Sequence, residues 1–127
     1  MNVVDSSGWL EYFANDSNSE FFAPAIEDIP RLIVPTISIL EVFKKILRDG
    51  GKAHALEKIA HMKKGQLVPL DESLALDAAG LGLLHKLPLA DSIILATAQR
   101  FNATFWTQDI DFKNVPGVKY RAKKSGK

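Results

Sequence analysis

Cysteine is missing altogether from this chain of 127 residues. Disulfides and thiolate metal sites are thereby excluded, and nothing points to an oxidising compartment. Long apolar runs are missing too. None approaches the roughly 18 residues that span a bilayer. The first residues also lack the basic stretch and apolar run of a secretory signal. A cytoplasmic protein that stays off membranes is the expectation. Repeats and low-complexity linkers are absent as well, and neither charge sign dominates, with a net charge of +1.

What is there suits one ordinary core. The chain is 46% hydrophobic and 24% charged, enough apolar material for a single domain over residues 1–127. The near-zero charge hides an asymmetry. Lys119, Arg121, Lys123, Lys124 and Lys127 fall in the last nine positions without an acid, leaving the body net acidic. Residues 119–127 read as a basic, flexible tail, and such a tail is compatible with a polyanionic partner.

Hydrophobic periodicity alternates between strand and helix. Residues 1–5 form a short buried strand. Ser6 or Ser7 then caps a helix through Phe13. A loop at 15–19 leads to a second helix over 20–28, and Arg31 to Pro35 is a strand. With Thr36 as its cap, the next helix covers 36–48 and stops at Gly50-Gly51. Lys52 to Lys64 is helical, Gln66 to Leu70 extended. Asp71 to Leu84 is a helix that Gly80 and Gly82 weaken towards its end. Pro88 opens a helix to Phe101. Ala103 to Thr107 is a strand, with a further one at 118–121. Strands separated by helices predict an α/β fold: a parallel sheet of four or five strands flanked by helices in three layers, α/β/α.

Four acids sit where acids are hard to explain. Asp5 ends an apolar run, Glu41 interrupts an apolar helix, Asp91 opens another, and Asp109 closes a strand. Carboxylates beside core segments cost free energy unless paired, hydrogen-bonded or bound to metal. In open parallel sheets, ligands bind beyond the carboxyl ends of the strands. Asp5 and Asp109 are strand ends; Asp91 and Glu41 fall early in helices that begin at that same edge. Singly, each has a structural explanation as a cap, a turn or a dipole partner. Together they predict one cluster. Grouped carboxylates take up protons or bind a cation, and an all-oxygen set favours Mg²⁺ or Mn²⁺. Such ions support phosphodiester hydrolysis.

Four stretches around these acids resemble the motifs of the PIN-domain ribonucleases, in particular the VapC-type toxins of toxin–antitoxin pairs. They are Val3-Val4-Asp5-Ser6-Ser7; Pro35-Thr36-Ile37-Ser38-Ile39-Leu40-Glu41-Val42; Leu87-Pro88-Leu89-Ala90-Asp91-Ser92-Ile93-Ile94; and Thr107-Gln108-Asp109-Ile110-Asp111-Phe112. The resemblance covers essentially the whole chain. It implies a PIN-like fold, a Mg²⁺- or Mn²⁺-dependent endoribonuclease acting on tRNA or rRNA, and Asp5, Glu41, Asp91 and Asp109 as catalytic and metal-binding residues. It also implies a homodimer and a cognate antitoxin protein.

Within this reading Asp5, Asp91 and Glu41 hold the main ion, and Asp109 completes the site directly or through water. Ser6 and Thr107 bond carboxylates or the scissile phosphate. Asp111 is a turn cap or a further site acid. His54, His61 and His85 fall on helices away from the acidic edge. Trp9, Tyr12, Phe13, Phe43, Ile46 and Leu47 serve either as core or as a groove for an antitoxin helix. Lys44, Lys45, Arg48 and the tail are surface cations that offer phosphate contacts. A haloacid-dehalogenase-type phosphatase would need a second Asp at position 7, where Ser7 stands. A non-catalytic PIN-fold RNA-binding or scaffold protein, or a DNA flap-type nuclease, stays as an alternative.

Overall fold

A computed structural model describes residues 1–124. Ten regular elements follow one another: β1 (Asn2–Val4), α1 (Ser6–Phe13), α2 (Ser19–Glu27), β2 (Leu32–Pro35), α3 (Thr36–Gly50), α4 (Lys52–Met62), β3 (Gln66–Val68), α5 (Glu72–His85), α6 (Leu89–Arg100) and β4 (Thr104–Thr107). An eleventh, β5 (Val118–Tyr120), completes them. The five strands form one parallel sheet in the order β3-β2-β1-β4-β5. The expected α/β architecture and its fifth strand are therefore present. Of the basic tail expected over 119–127, the first two residues belong to β5, and 125–127 lie outside the described residues.

The sheet is buried on both faces because adjacent side chains of a strand point opposite ways. Val3, Ile33 and Phe105 pack to one side with Leu74, Ile94 and Phe112. Val4, Val34 and Leu32 pack to the other with Trp9, Phe22 and Met62. Helices α5 and α6 cover the first face and α1, α2 and α4 the second, which gives the three layers. Each fully buried Phe or Ile in these clusters stabilises by about 1.5–3 kcal/mol.

Several local expectations change. The cap of α1 is Asp5, not Ser6 or Ser7: its side chain accepts from the Gly8 N–H at 2.8 Å. Asp5 is the last extended residue, so it alone has the non-helical backbone that a capping side chain needs. Pro35, not Thr36, caps α3, without a side-chain bond. Helix α5 runs unbroken to His85 despite its two glycines. Gly82 explains this: a Cβ there would stand 2.7 Å from Ser92 Oγ, so its bare backbone is what lets α6 pack close. The helix keeps in packing what it forgoes in propensity. Strand β3 is shorter than expected and mostly exposed, as suits a sheet edge. No single helix among the described residues is long and apolar enough to cross a membrane.

Candidate functional site

Parallel strand order decides where the acids meet. β1 lies between β2 and β4, with Val4 paired to Trp106. The residues that follow, Asp5 and Thr107, therefore leave the sheet side by side. The Asp5 N–H donates to the Trp106 carbonyl at 3.1 Å, extending the ladder to the acid itself. The Thr107 hydroxyl donates a short hydrogen bond to Asp5 Oδ2. Asp5 Oδ1 accepts from Ser7 Oγ at 3.0 Å and Gly8 N at 2.8 Å. Each carboxylate oxygen offers about two acceptor positions. Oδ1 is thus filled, while Oδ2 keeps one free.

The other acids arrive on helix starts and on the turn after β4. Glu41, in the second turn of α3, accepts from Ser6 Oγ at 2.6 Å. Asp91 sits in the first turn of α6. Asp109 caps a 3₁₀ turn at Ile110–Phe112, with Oδ1 accepting from the Asp111 N–H at 2.9 Å. Its own N–H donates to Thr107 Oγ1 at 2.9 Å. Asp109 is therefore a turn cap as well as a neighbour of Asp5. Lys45, one turn beyond Glu41, pairs instead with Asp49 at 3.2 Å.

Titration behaviour shows that the acids feel one another. Burial first, then the charges of Asp109, Asp5, Glu41 and Asp111, push the Asp91 carboxyl up from 3.8 to about 7. Burial likewise pushes Asp5 up to about 6, and the Asp109 charge adds to this. The bonds from Thr107, Gly8 and Ser7 act the other way. Asp5 is 3% exposed. Among the described residues, no ion pair involves Asp5, Glu41, Asp91, Asp109 or Asp111. Nor, among them, do three acids stand in a finished ligand arrangement. The carboxylates are coupled through space across an open edge rather than closed into a cage.

This donor set fits a hard divalent cation. It is all oxygen, net negative and without a basic partner, and the raised values show that protons are held where a cation could replace them. The histidines are elsewhere: His61 packs edge-on against Tyr12 and Phe13, at ring separations of 6.0 and 5.7 Å. The residues of α1 divide between core and an open cleft. Trp9 is core, whereas Leu10 and Phe13 line a cleft of about 320 Å³ with Ile46 and His54.

Sequence reading passes over three residues behind the site. Gln108 lies between Thr107 and Asp109 and is buried, as are Glu11 and Asn18. The Gln108 side chain bonds those of Glu11 and Asn18, and the Asn18 backbone N–H donates to Glu11. The signal was available for Glu11, an acid inside Trp9-Leu10-Glu11-Tyr12-Phe13, by the same reasoning that singled out Glu41.

The chain is thus a three-layer parallel α/β domain whose carboxylates at the carboxyl edge of the central strands have no ion-pair partner among the described residues. Residues 3–118 match the PIN domain, and the chain belongs to that family. No curated protein matches it in sequence. Solved structures share the fold. A toxin–antitoxin complex from Klebsiella pneumoniae aligns with a TM-score of 0.79 at 22% identity, covering 94% of this chain and 96% of that one. VapC20 of Mycobacterium tuberculosis, a sarcin-ricin-loop-cleaving toxin, aligns at 0.75 and 16% identity, covering 91% and 95%. VapBC2 from Rickettsia felis, bound to a DNA fragment from its promoter, aligns at 0.72 and 14%, covering 95% and 97%.

Proposed function

We propose that this protein is a divalent-metal-dependent endoribonuclease and the toxin of a toxin–antitoxin pair. The observation that carries the reading is the acidic edge itself. Five carboxylates interact there without a basic partner among the described residues, and two of them are raised to about 6 and 7. Such a site repels a phosphodiester unless a cation is bound, and recruits it when one is.

Asp5, Glu41, Asp91 and Asp109 are the residues that would hold Mg²⁺ or Mn²⁺. When bound, the ion lowers the pKa of water and offsets charge on the phosphate oxygens. The chain does the rest. Thr107, Ser7 and the Gly8 N–H fix the Asp5 carboxylate and leave one acceptor position of Oδ2 unfilled. Ser6 fixes Glu41. Asp109 and Asp111 extend the negative edge along the turn. The basic residues after β5 emerge beside this edge, since the Arg121 N–H donates to the Thr107 carbonyl at 3.1 Å. The Arg121 guanidinium lies over the Phe21 ring, 4.9 Å from its centroid, and Lys123 and Lys124 are exposed, so this segment offers cations to an RNA backbone that runs past the acidic edge.

The partners follow from the same reading. The fold neighbours named above include toxin–antitoxin complexes. The cleft lined by Leu10, Phe13 and Ile46 is where an apolar antitoxin helix would dock. Leu83 and Leu89, 85% and 81% exposed, line a second apolar cleft of about 430 Å³, and Leu84, next in the chain to Leu83, is 73% exposed. That exposure supports pairing of two copies.

Cleavage of tRNA or rRNA tests the proposal, run with Mg²⁺ or Mn²⁺, with chelator, and with Asp5→Asn and Asp91→Asn. Metal-dependent cleavage lost in both variants is expected. Cleavage that persists under chelation or in either variant overturns it.

A further inference from the structure

The backbone between Thr107 and Asp109 is held from behind. Side chains alternate as a strand ends, so Thr107 faces Asp5 while Gln108 turns the opposite way, into the protein. There it meets a closed triangle. Gln108 Nε2 donates to Glu11 Oε1 at 3.3 Å, and Gln108 Oε1 accepts from Asn18 Nδ2 at 3.0 Å. The third side is the Asn18 N–H, which donates to Glu11 Oε2 at 2.9 Å. All three residues are nearly sealed from solvent, at 6%, 4% and 1% exposure for Gln108, Glu11 and Asn18. Asn18 Nδ2 also donates to the Ala122 carbonyl at 3.1 Å. The one triangle therefore grips the Asp109 turn and the start of the basic C-terminal segment.

Buried polar side chains are costly unless bonded, and a buried network with an acid at its centre is a poor way to gain stability. Its location offers a different reason for it. Thr107 is still paired with Tyr120 of β5, but the regular ladder ends there, and Asp109 has no strand partner to hold it against Asp5. We infer that Gln108 is a positioning residue, clamped by Glu11 and Asn18, which sets the Asp109 carboxylate against Asp5 and Asp91. The inference rests on the nuclease reading only for its effect on metal and RNA; the clamp on the turn stands independently.

A charge-exchanged pair supplies the test. Gln108→Glu places two carboxyl groups in contact and breaks the triangle. Adding Glu11→Gln restores every bond, with donor and acceptor reversed only between 11 and 108: the new amide at 11 donates to the new carboxylate at 108, and Asn18 still donates to both. Net charge is unchanged across the double variant. Two readouts decide. In metal-free protein, exchange of the Asp109 and Asp111 amides, both bonded within the turn, is expected to quicken about tenfold or more in Gln108→Glu and to return in the double variant. Mn²⁺ affinity measured by titration should weaken by about 10–100-fold and recover likewise. With RNA, kcat should fall while KM stays within about twofold. Gln108→Met, which keeps bulk and loses the bonds, should behave as Gln108→Glu does. If both substitutions lower the melting temperature yet leave these two amides and Mn²⁺ affinity unchanged, Gln108 only fills space and the inference fails. Wild-type protein that neither binds Mn²⁺ nor cleaves RNA would sink the nuclease reading instead, and amide exchange would still decide the clamp.

Discussion

The Ser6 hydroxyl donates to Glu41 Oε1 at 2.6 Å, joining the first turn of α1 to the second turn of α3 across 35 residues of sequence. Glu41 projects from a helix that buries Ser38, Val42 and Ile46, and no cation among the described residues pairs with it. Ser6 is what fixes its rotamer. Partners of this kind change affinity or activity by about 10–100-fold when removed. Ser6→Ala should therefore lower kcat by about tenfold with the fold intact by circular dichroism, and Ser6→Thr should retain activity. A Ser6→Ala enzyme within twofold of wild type would show that Glu41 needs no such guide.

Asp5→Asn and Asp91→Asn should trade activity for stability. Each removes a ligand of the proposed cation, a loss of about 100-fold or more in rate, since metal assistance is worth several kcal/mol. Each also removes a carboxyl that folding makes harder to ionise. Asn is as good an N-cap as Asp, so Asp5→Asn keeps the acceptor for the Gly8 N–H. Both variants should melt above wild type at pH 8 without metal, by roughly 3–6 °C for each kcal/mol relieved. Lower melting in both would mean that the acids are structural.

Metal-free stability should fall as pH rises. Asp5 and Asp91 titrate near 3.8 when unfolded but at about 6 and about 7 in the fold. Between about pH 4 and 7 the folded state binds more protons than the unfolded one, so the stability slope is negative throughout that window. Asp71, lowered to about 2 chiefly by its bond with Arg100, acts with the opposite sign. Its contribution is already complete above about pH 4, so it leaves the window untouched. Melting in chelator should thus be higher at pH 5.5 than at pH 8, and saturating Mn²⁺ should erase the difference. A metal-free curve that is flat or rises towards pH 8 contradicts the prediction.

Two glycines of α5 should respond in opposite directions. At Gly80 an added Cβ meets nothing within 4 Å, so Gly80→Ala should stabilise by about 0.5–1 kcal/mol through helix propensity. At Gly82 the Cβ meets Ser92 Oγ at 2.7 Å. Ser92 is buried and bonded to the Pro88 carbonyl at 2.9 Å, so it has little room to yield. Gly82→Ala should cost about 1–3 kcal/mol. Because Ser92 follows Asp91, it should also reduce activity. Denaturant melts of the two variants side by side provide the check.

The sheet and the acidic edge were legible because both write themselves in short-range patterns. Three- to five-residue apolar runs set strands, and an acid at the end of a run has few explanations. What stayed hidden depends on contacts across the sheet. Asp5, Ser6 and Ser7 are all candidate caps of α1 on paper, and only the backbone geometry selects Asp5. Gly82 looks like a helix breaker until α6 is laid against it. Gln108 looks like a polar strand end until Glu11 and Asn18, distant in sequence, close around it. Each is a long-range relation between residues that seem ordinary alone.

The strand order also governs when the site comes into being. β1 is made first yet occupies the middle of the sheet. Thr107, which bonds the Asp5 carboxylate, is synthesised 102 residues later. At about 5–20 residues per second of translation, Asp5 waits roughly 5–20 seconds for its neighbours. A ribosome that stalls before β4, or a protease that cuts there, leaves a fragment carrying Asp5, Glu41 and Asp91 but neither Thr107 nor Asp109. On the proposed nuclease reading, such a fragment lacks the Thr107 bond to Asp5 and the Asp109 carboxylate, and it should not cleave RNA.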